Sequence, residues 1–229
     1  LLTIEGIDSL YEHLSNEGWL SFHRYLLPPP RAEFRLILTI AEVLKNRELK
    51  PDQHLGVFRT VSTLGVAVSA VPWTEEDREA FRHFCSERSY DAVYYPGMDP
   101  GLANSMNRFK QPVYASGVRD ILFHREAFQD KTIFKLEPVT DNKPYFYDFL
   151  KLSRFQDFYN AYDGKWEALI ETSLLLPVLF VFVLIPASVL LIIPLVLTGR
   201  FGTYRPGLLY FFWLGLAFMA VEIAFLQKL

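Results

Sequence analysis

Residues 174–197, "LLLPVLFVFVLIPASVLLIIPLVL", contain no charged side chain. A helix of that length reaches ~36 Å, enough to cross a hydrocarbon core of ~30 Å with some tilt. A transmembrane helix is the expectation. Pro177, Pro186 and Pro194 would be costly in a helix bathed in water. In a bilayer, neighbouring helices and local backbone adjustment satisfy the freed carbonyls, so kinks are expected. The loop "TGRFGTYRP" follows, and a second apolar run carries a helix over about 207–229, with Tyr210 and Trp213 near one interface. A hairpin of this kind returns both of its ends to one side. Near the helices, Lys151, Arg154, Lys165 and Lys228 lie on that side, against Arg200 and Arg205 in the loop. The bias in Lys and Arg favours a cytoplasmic location for the rest of the chain.

Glu222 interrupts the second run roughly 20 Å along it, at the 1.5 Å rise per residue. A carboxylate at such depth is a functional candidate by default. The alternative is structural, with Glu222 hydrogen-bonded to a neighbouring helix or reaching interfacial water beside Gln227 and Lys228. Gly215 shares its face and would let a partner helix come close, while Ala217, Ala220 and Ala224 form another small-residue stripe. The expected partners are therefore the lipid bilayer and further transmembrane helices.

Outside this region the chain has the character of a water-soluble protein. Hydrophobic residues make up 51% and mean hydropathy is +0.13, because the apolar residues crowd into the last quarter. The net charge of −3 gives no electrostatic basis for binding nucleic acid. Cys85 is the single cysteine, which excludes an internal disulfide and permits a reducing compartment. The opening "LLTIEGIDSLYEHL" lacks a basic region, an apolar core and a cleavage site, so it is not read as a signal peptide.

Residues 1–150 alternate helix and strand patterns, as in an α/β domain. Ile4, Ile7, Leu10 and Leu14 predict a helix ended by Gly18. "WLSFHRYLL" predicts a strand, and "PPPRAEFRLILTIAEVLKN" an amphipathic helix packed on the sheet. "HLGVFRTVSTLGVAVSAVPW" predicts a buried hairpin. Thr74 and Asp77 open a further helix in capping-box style, with Phe81, Phe84 and Cys85 on its inner face.

Chemical motifs are sparse. The chain contains no G-x-G-x-x-G, no Walker loop and no H-E-x-x-H, and its five histidines are scattered, so no metal site is expected. His23 and Arg24 lie at a strand end, where α/β folds place ligands, although a lone histidine is more often structural. Arg24, Arg31 and Arg35 would suit an anionic group, though solvated helix starts explain the last two equally well. Asp141 in "TDNKP" fits a turn or cap before Pro144.

Four segments carry a resemblance: "GWLSFHRY" running into "PPPRAEFRLI", "FCSERSYDAVYYPG", "TDNKPYFYDFL" and "GLAFMAVEIAFLQKL". Through them the whole chain resembles the carboxyl-terminal portion of the membrane-bound spermidine synthase-like proteins of bacteria. That group is a branch of the class I S-adenosylmethionine-dependent methyltransferase fold. The most specific matches are the T-D-x-x-P-aromatic pattern at Thr140, Asp141, Pro144, Tyr145 and Phe146, and Val221, Glu222, Ile223, Gln227 and Lys228.

The resemblance implies the second half of a Rossmann-like domain over 1–150, an amphipathic connector over 151–170 and membrane helices over 171–229. It implies a longer protein on both sides, with the cofactor-binding half upstream, in a bacterial cytoplasmic membrane. S-adenosylmethionine or its decarboxylated form is the implied cofactor, and an aminopropyl or methyl transfer to a small amine, as in polyamine biosynthesis, the implied reaction. The aspartate-bearing loop that spermidine synthases use to deprotonate the attacking amine is absent from these 229 residues. Two other functions stay open: a noncatalytic docking module in a larger complex, and proton- or polyamine-coupled transport through Glu222.

Overall fold

The computed structural model describes residues 2–161, 175–199 and 201–228. Lys165, Arg200 and residues 162–170 of the expected connector lie outside the described residues, as do the side chains of Arg205, Gln227 and Lys228. The chain divides into two compact units, Leu1–Leu174 and Leu175–Leu229.

In the first unit, Thr3 caps α1 (Ile4–Glu12), its hydroxyl accepting from Gly6 N at 3.1 Å, and Ile7 and Tyr11 turn one face inward. The helix stops six residues before the expected Gly18. His13 and Leu14 donate back to Leu10 and Tyr11 in a tightened last turn. Gly18 instead closes a turn onto Ser15 at the start of β1 (Trp19–Tyr25).

The polyproline loop leads into α2 (Ala32–Asn46), which is buried on nearly every side, from Ala32 to Ala41 without a break. A single apolar stripe was expected. The helix is covered more fully because α1 and α5 flank it while it rests on the sheet. Glu33, Arg35 and Thr39 are thereby carried into the interior.

The short helix α3 (Pro51–His54) precedes β2 (Leu55–Arg59), β3 (Thr63–Ser69), α4 (Glu75–Glu87) and β4 (Asp91–Tyr94). The capping box of α4 is present, with Thr74 and Asp77 bonding reciprocally, and Cys85 is buried behind it. After β4 come α5 (Val113–Phe123), α6 (Arg125–Lys131) and α7 (Phe155–Ala161). Phe158 of α7 packs edge-on to Phe134, so the described part of the connector belongs to this core.

The sheet is mixed with helices, four-stranded and antiparallel between neighbours, in the order β1-β3-β2-β4. Since β1 and β2 both oppose β3, they run parallel to each other. Leu64, Val66, Val68 and Val57 face α2 and α5, while Phe58, Trp73, Phe81 and Cys85 form a second aromatic core under α4.

The second unit is α8 (Leu175–Leu197) and α9 (Phe201–Lys228), which contact each other. Both are long and apolar enough to cross a membrane, and their apolar windows have mean hydropathies of 2.6 and 2.0. Together they point to membrane association. Helix α8 continues through Pro186 and Pro194 and ends at Leu197, followed by Gly199, whose φ of +67° suits the left-handed residue after a helix. Helix α9 starts six residues earlier than expected, absorbing most of the anticipated loop. Pro206 lies inside it, where the missing N–H removes one helical bond and the helix carries on.

Candidate functional site

Among the described residues of the first unit, five charged side chains are almost fully buried: Arg31, Glu33, Arg35, Arg59 and Asp91. Burying a charge is expensive unless it is paired and hydrogen-bonded, so such a concentration marks the place where the fold departs from the simplest packing. All five gather around the segments that follow β1 and β2. In α/β sheets the crevice beyond the carboxyl ends of parallel strands is where ligands bind.

Arg59, the last residue of β2, pairs with Asp91, the first of β4, at 3.0 Å. The same guanidinium donates to the carbonyls of Met106 and Asn107 and lies over the Phe109 ring at 4.6 Å. Asp91 uses its second oxygen to accept from Ser105 N, Ser105 Oγ and Met106 N. The pair thus fixes the 104–109 loop, whose Asn104 and Asn107 adopt left-handed backbone conformations that asparagine tolerates.

Phe109 in turn packs on Tyr114, whose hydroxyl donates to Glu33 Oε1 at 3.4 Å. Burial, and then the neighbouring Glu33, push the Tyr114 phenol well above its usual range, with Arg59 and Arg31 acting in opposition. Glu33 also accepts from Leu27 N at 3.0 Å and Arg31 N at 3.1 Å, which ties the loop after β1 to the start of α2.

Arg35 holds the third segment. It donates to the carbonyls of Lys135, Tyr145, Phe146 and Asp148 and lies over Phe149 at 4.7 Å. Burial draws its guanidinium down to about 10, against the opposing pull of Asp148 and Glu137, so it stays charged at neutral pH. Arg31 lies over the same Phe149 ring at 5.9 Å. Neither arginine is the solvated helix start that the sequence equally allowed.

The residues singled out from the sequence do not converge. Arg24 is closest to the network, above the Phe146 ring at 5.2 Å and donating to Tyr147 Oη at 3.4 Å. His23, on the opposite face of β1, bonds Ser21 Oγ at 3.2 Å and meets Phe58 edge-on. Asp141 Oδ1 accepts the Thr3 hydroxyl at 2.5 Å, and its backbone N–H donates to Glu5, so it fastens the start of α1 to the 137–143 segment. Glu222 is exposed on α9.

Sequence reading missed Glu33, Arg59, Asp91 and Tyr114. One signal was available: Glu33, Arg35 and Thr39 interrupt the buried run of α2.

Chemically the network is a rigid floor. Both its carboxylates are fully engaged, and among the described residues no group of His, Cys, Asp and Glu could hold a metal ion. The described residues also do not fit an adenosyl cofactor. No glycine-rich loop follows a strand, and the left-handed glycines are Gly97 and Gly199 alone. Comparison of the chain with protein-family models, with characterised proteins and with solved structures finds no match in any of the three.

Proposed function

We propose that this chain is part of an integral membrane transferase of the spermidine synthase-like kind, moving an aminopropyl or methyl group onto a small amine. The observation that carries the reading is the relation of β1, α2 and β2. Two mutually parallel strands joined through a helix form the crossover unit of Rossmann-like domains, and β3 inserts antiparallel between them. The Thr140–Phe146 and Val221–Lys228 patterns support it, as do two membrane-length helices after the α/β unit. On this reading the α/β unit faces the cytoplasm of a bacterium, in line with Lys151 and Arg154 before the helices. Since the described residues do not cradle the cofactor, no catalytic step is assigned to them.

The test is equilibrium dialysis of the protein isolated from its native membrane against radiolabelled S-adenosylmethionine and its decarboxylated form. Saturable binding of either supports the transferase. Binding of neither by a folded protein transfers support to the docking module. That second reading is favoured by a specific observation, since Glu33, Arg59 and Asp91 are spent on holding loops.

A further inference from the structure

Arg35 is 2% exposed, yet what it holds is a surface loop. Its guanidinium donates to the carbonyls of Tyr145, Phe146 and Asp148 on one segment and of Lys135 on another. The loop fixed in this way buries Phe146 and Phe149 and turns two other rings outward, Tyr145 at 66% exposure and Tyr147 at 60%. A lone exposed apolar residue needs no explanation. Two large rings side by side, on a loop pinned by a buried charge, form a displayed surface.

Each ring has a cation at its side. Arg24 donates to the Tyr147 hydroxyl at 3.4 Å and lies over Phe146. Exposed Lys143 shares with Tyr145 a hollow of about 410 Å³ that Lys135 also lines. Two carboxylates face the same hollow: Asp148 is taken by Lys135 at 2.8 Å, and Glu137 lies in the field of Arg35. Lys143 has no ion-pair partner among the described residues. Tyrosines accompanied by Lys and Arg are the composition of the membrane–water interface, where the ring sits at the headgroup level and the phenol and the cation meet water and phosphate.

The loop also lies close to where the described chain leaves the first unit. Lys135 N donates to Phe149 O, Phe134 pairs with Leu150, and Phe134 packs edge-on against Phe158 of α7, the last described element before the apolar helices. The 162–174 link spans roughly 50 Å at most when fully extended, so this end of the unit is tethered near any bilayer that α8 and α9 cross. We propose that the 143–147 loop rests in the headgroup layer of that bilayer, with the rings of Tyr145 and Tyr147 seated among the headgroups and Lys143 and Arg24 on their phosphates. The partner is a phospholipid surface, and Arg35 keeps the loop in shape for it. The inference rests on the membrane reading of α8 and α9 and is independent of group transfer.

The experiment places single nitroxide labels on the full chain in liposomes of phosphatidylcholine and phosphatidylglycerol, in a Cys85→Ala background. Tyr145→Cys and Tyr147→Cys are labelled in turn, each keeping the other ring, with Glu76→Cys on the exposed side of α4 as the water reference and Leu214→Cys in α9 as the hydrocarbon reference. Collisions are measured with oxygen, which concentrates in lipid, and with a water-soluble nickel chelate. The labels at 145 and 147 are expected to meet the chelate several-fold less often, and oxygen more often, than the label at 76, and Lys143→Glu is expected to weaken that shielding. The proposal is overturned if they meet the chelate as often as the label at 76, or if Lys143→Glu leaves the shielding unchanged. Shielding from both reagents would mark a protein contact and overturn it too. Chelate contact at 145 with oxygen contact at 214 removes this inference alone, whereas chelate contact at 214 removes the membrane reading with it.

Discussion

Asp91→Asn is the sharpest single perturbation of the buried network. The substitution keeps the size of the side chain and removes its charge. Asp91 and Arg59 are each only 2% exposed, so the Arg59 guanidinium would be left in the interior without a counter-charge. The amide NH2 would also face a donor, either Arg59 Nη2 or the cluster of Ser105 and Met106 donors. Removing one partner of a buried ion pair costs about 3–5 kcal/mol. In a unit of this size each kcal/mol lowers Tm by about 2–4 °C, so a fall of roughly 6–20 °C is expected. Thermal unfolding in detergent, followed by tryptophan fluorescence, reads it directly. Arg59→Met should cost a similar amount, and the double variant should be better than additive by about 0.5–3 kcal/mol, the usual range for contacting residues. An Asp91→Asn variant melting within about 2 °C of the parent, less than 1 kcal/mol on that scale, would refute the reasoning. So would additivity in the double variant.

Gly65→Ala should destabilise by about 1–3 kcal/mol, the usual cost of overpacking, because a Cβ there would meet the Phe58 ring at 2.3 Å; an unchanged urea midpoint would contradict it. Thr74→Ala removes the α4 cap and should cost about 1 kcal/mol in the same assay, with loss of amide protection confined at first to the start of α4. Burial pushes the Cys85 thiol from 9.0 up to about 12, with Asp91 acting in the same direction. Between those values the unfolded chain has lost the proton and the folded one retains it, so stability is fully present below pH 9.0 and declines as pH rises above it. Urea midpoints measured across that range should fall, and less steeply in Cys85→Ala; equal slopes would show that Cys85 is not the source.

The elements with strong local signals were legible in the sequence. The hairpin of β2 and β3, the capping box at Thr74 and the apolar helices follow from alternation, capping chemistry and length, all of which act within a few residues. The end of α1 was misplaced because Gly18 fits a helix stop as well as the turn before β1. The start of α9 was misplaced because Pro206 can be absorbed inside a helix.

The buried network was harder to see, since its members are far apart in sequence and each looks like an ordinary surface residue on its own. Arg35 is 110 residues from Tyr145, whose carbonyl it binds, and Tyr114 is 81 residues from Glu33. The packing of α5 against α2 brings Tyr114 to Glu33, a tertiary contact that no local pattern encodes. Asp141 illustrates the same limit in reverse. Its turn setting could be read locally, while its bond to Thr3, 138 residues away, could not.

Transfer itself tests the central claim most directly. The protein isolated from its native membrane would be incubated with decarboxylated S-adenosylmethionine labelled in the aminopropyl group, or S-adenosylmethionine labelled in the methyl group, and a panel of small amines. The account predicts label moving from one donor into an amine, at a rate proportional to the protein added. Label that stays in both donors, with the protein folded and every amine tested, would contradict it.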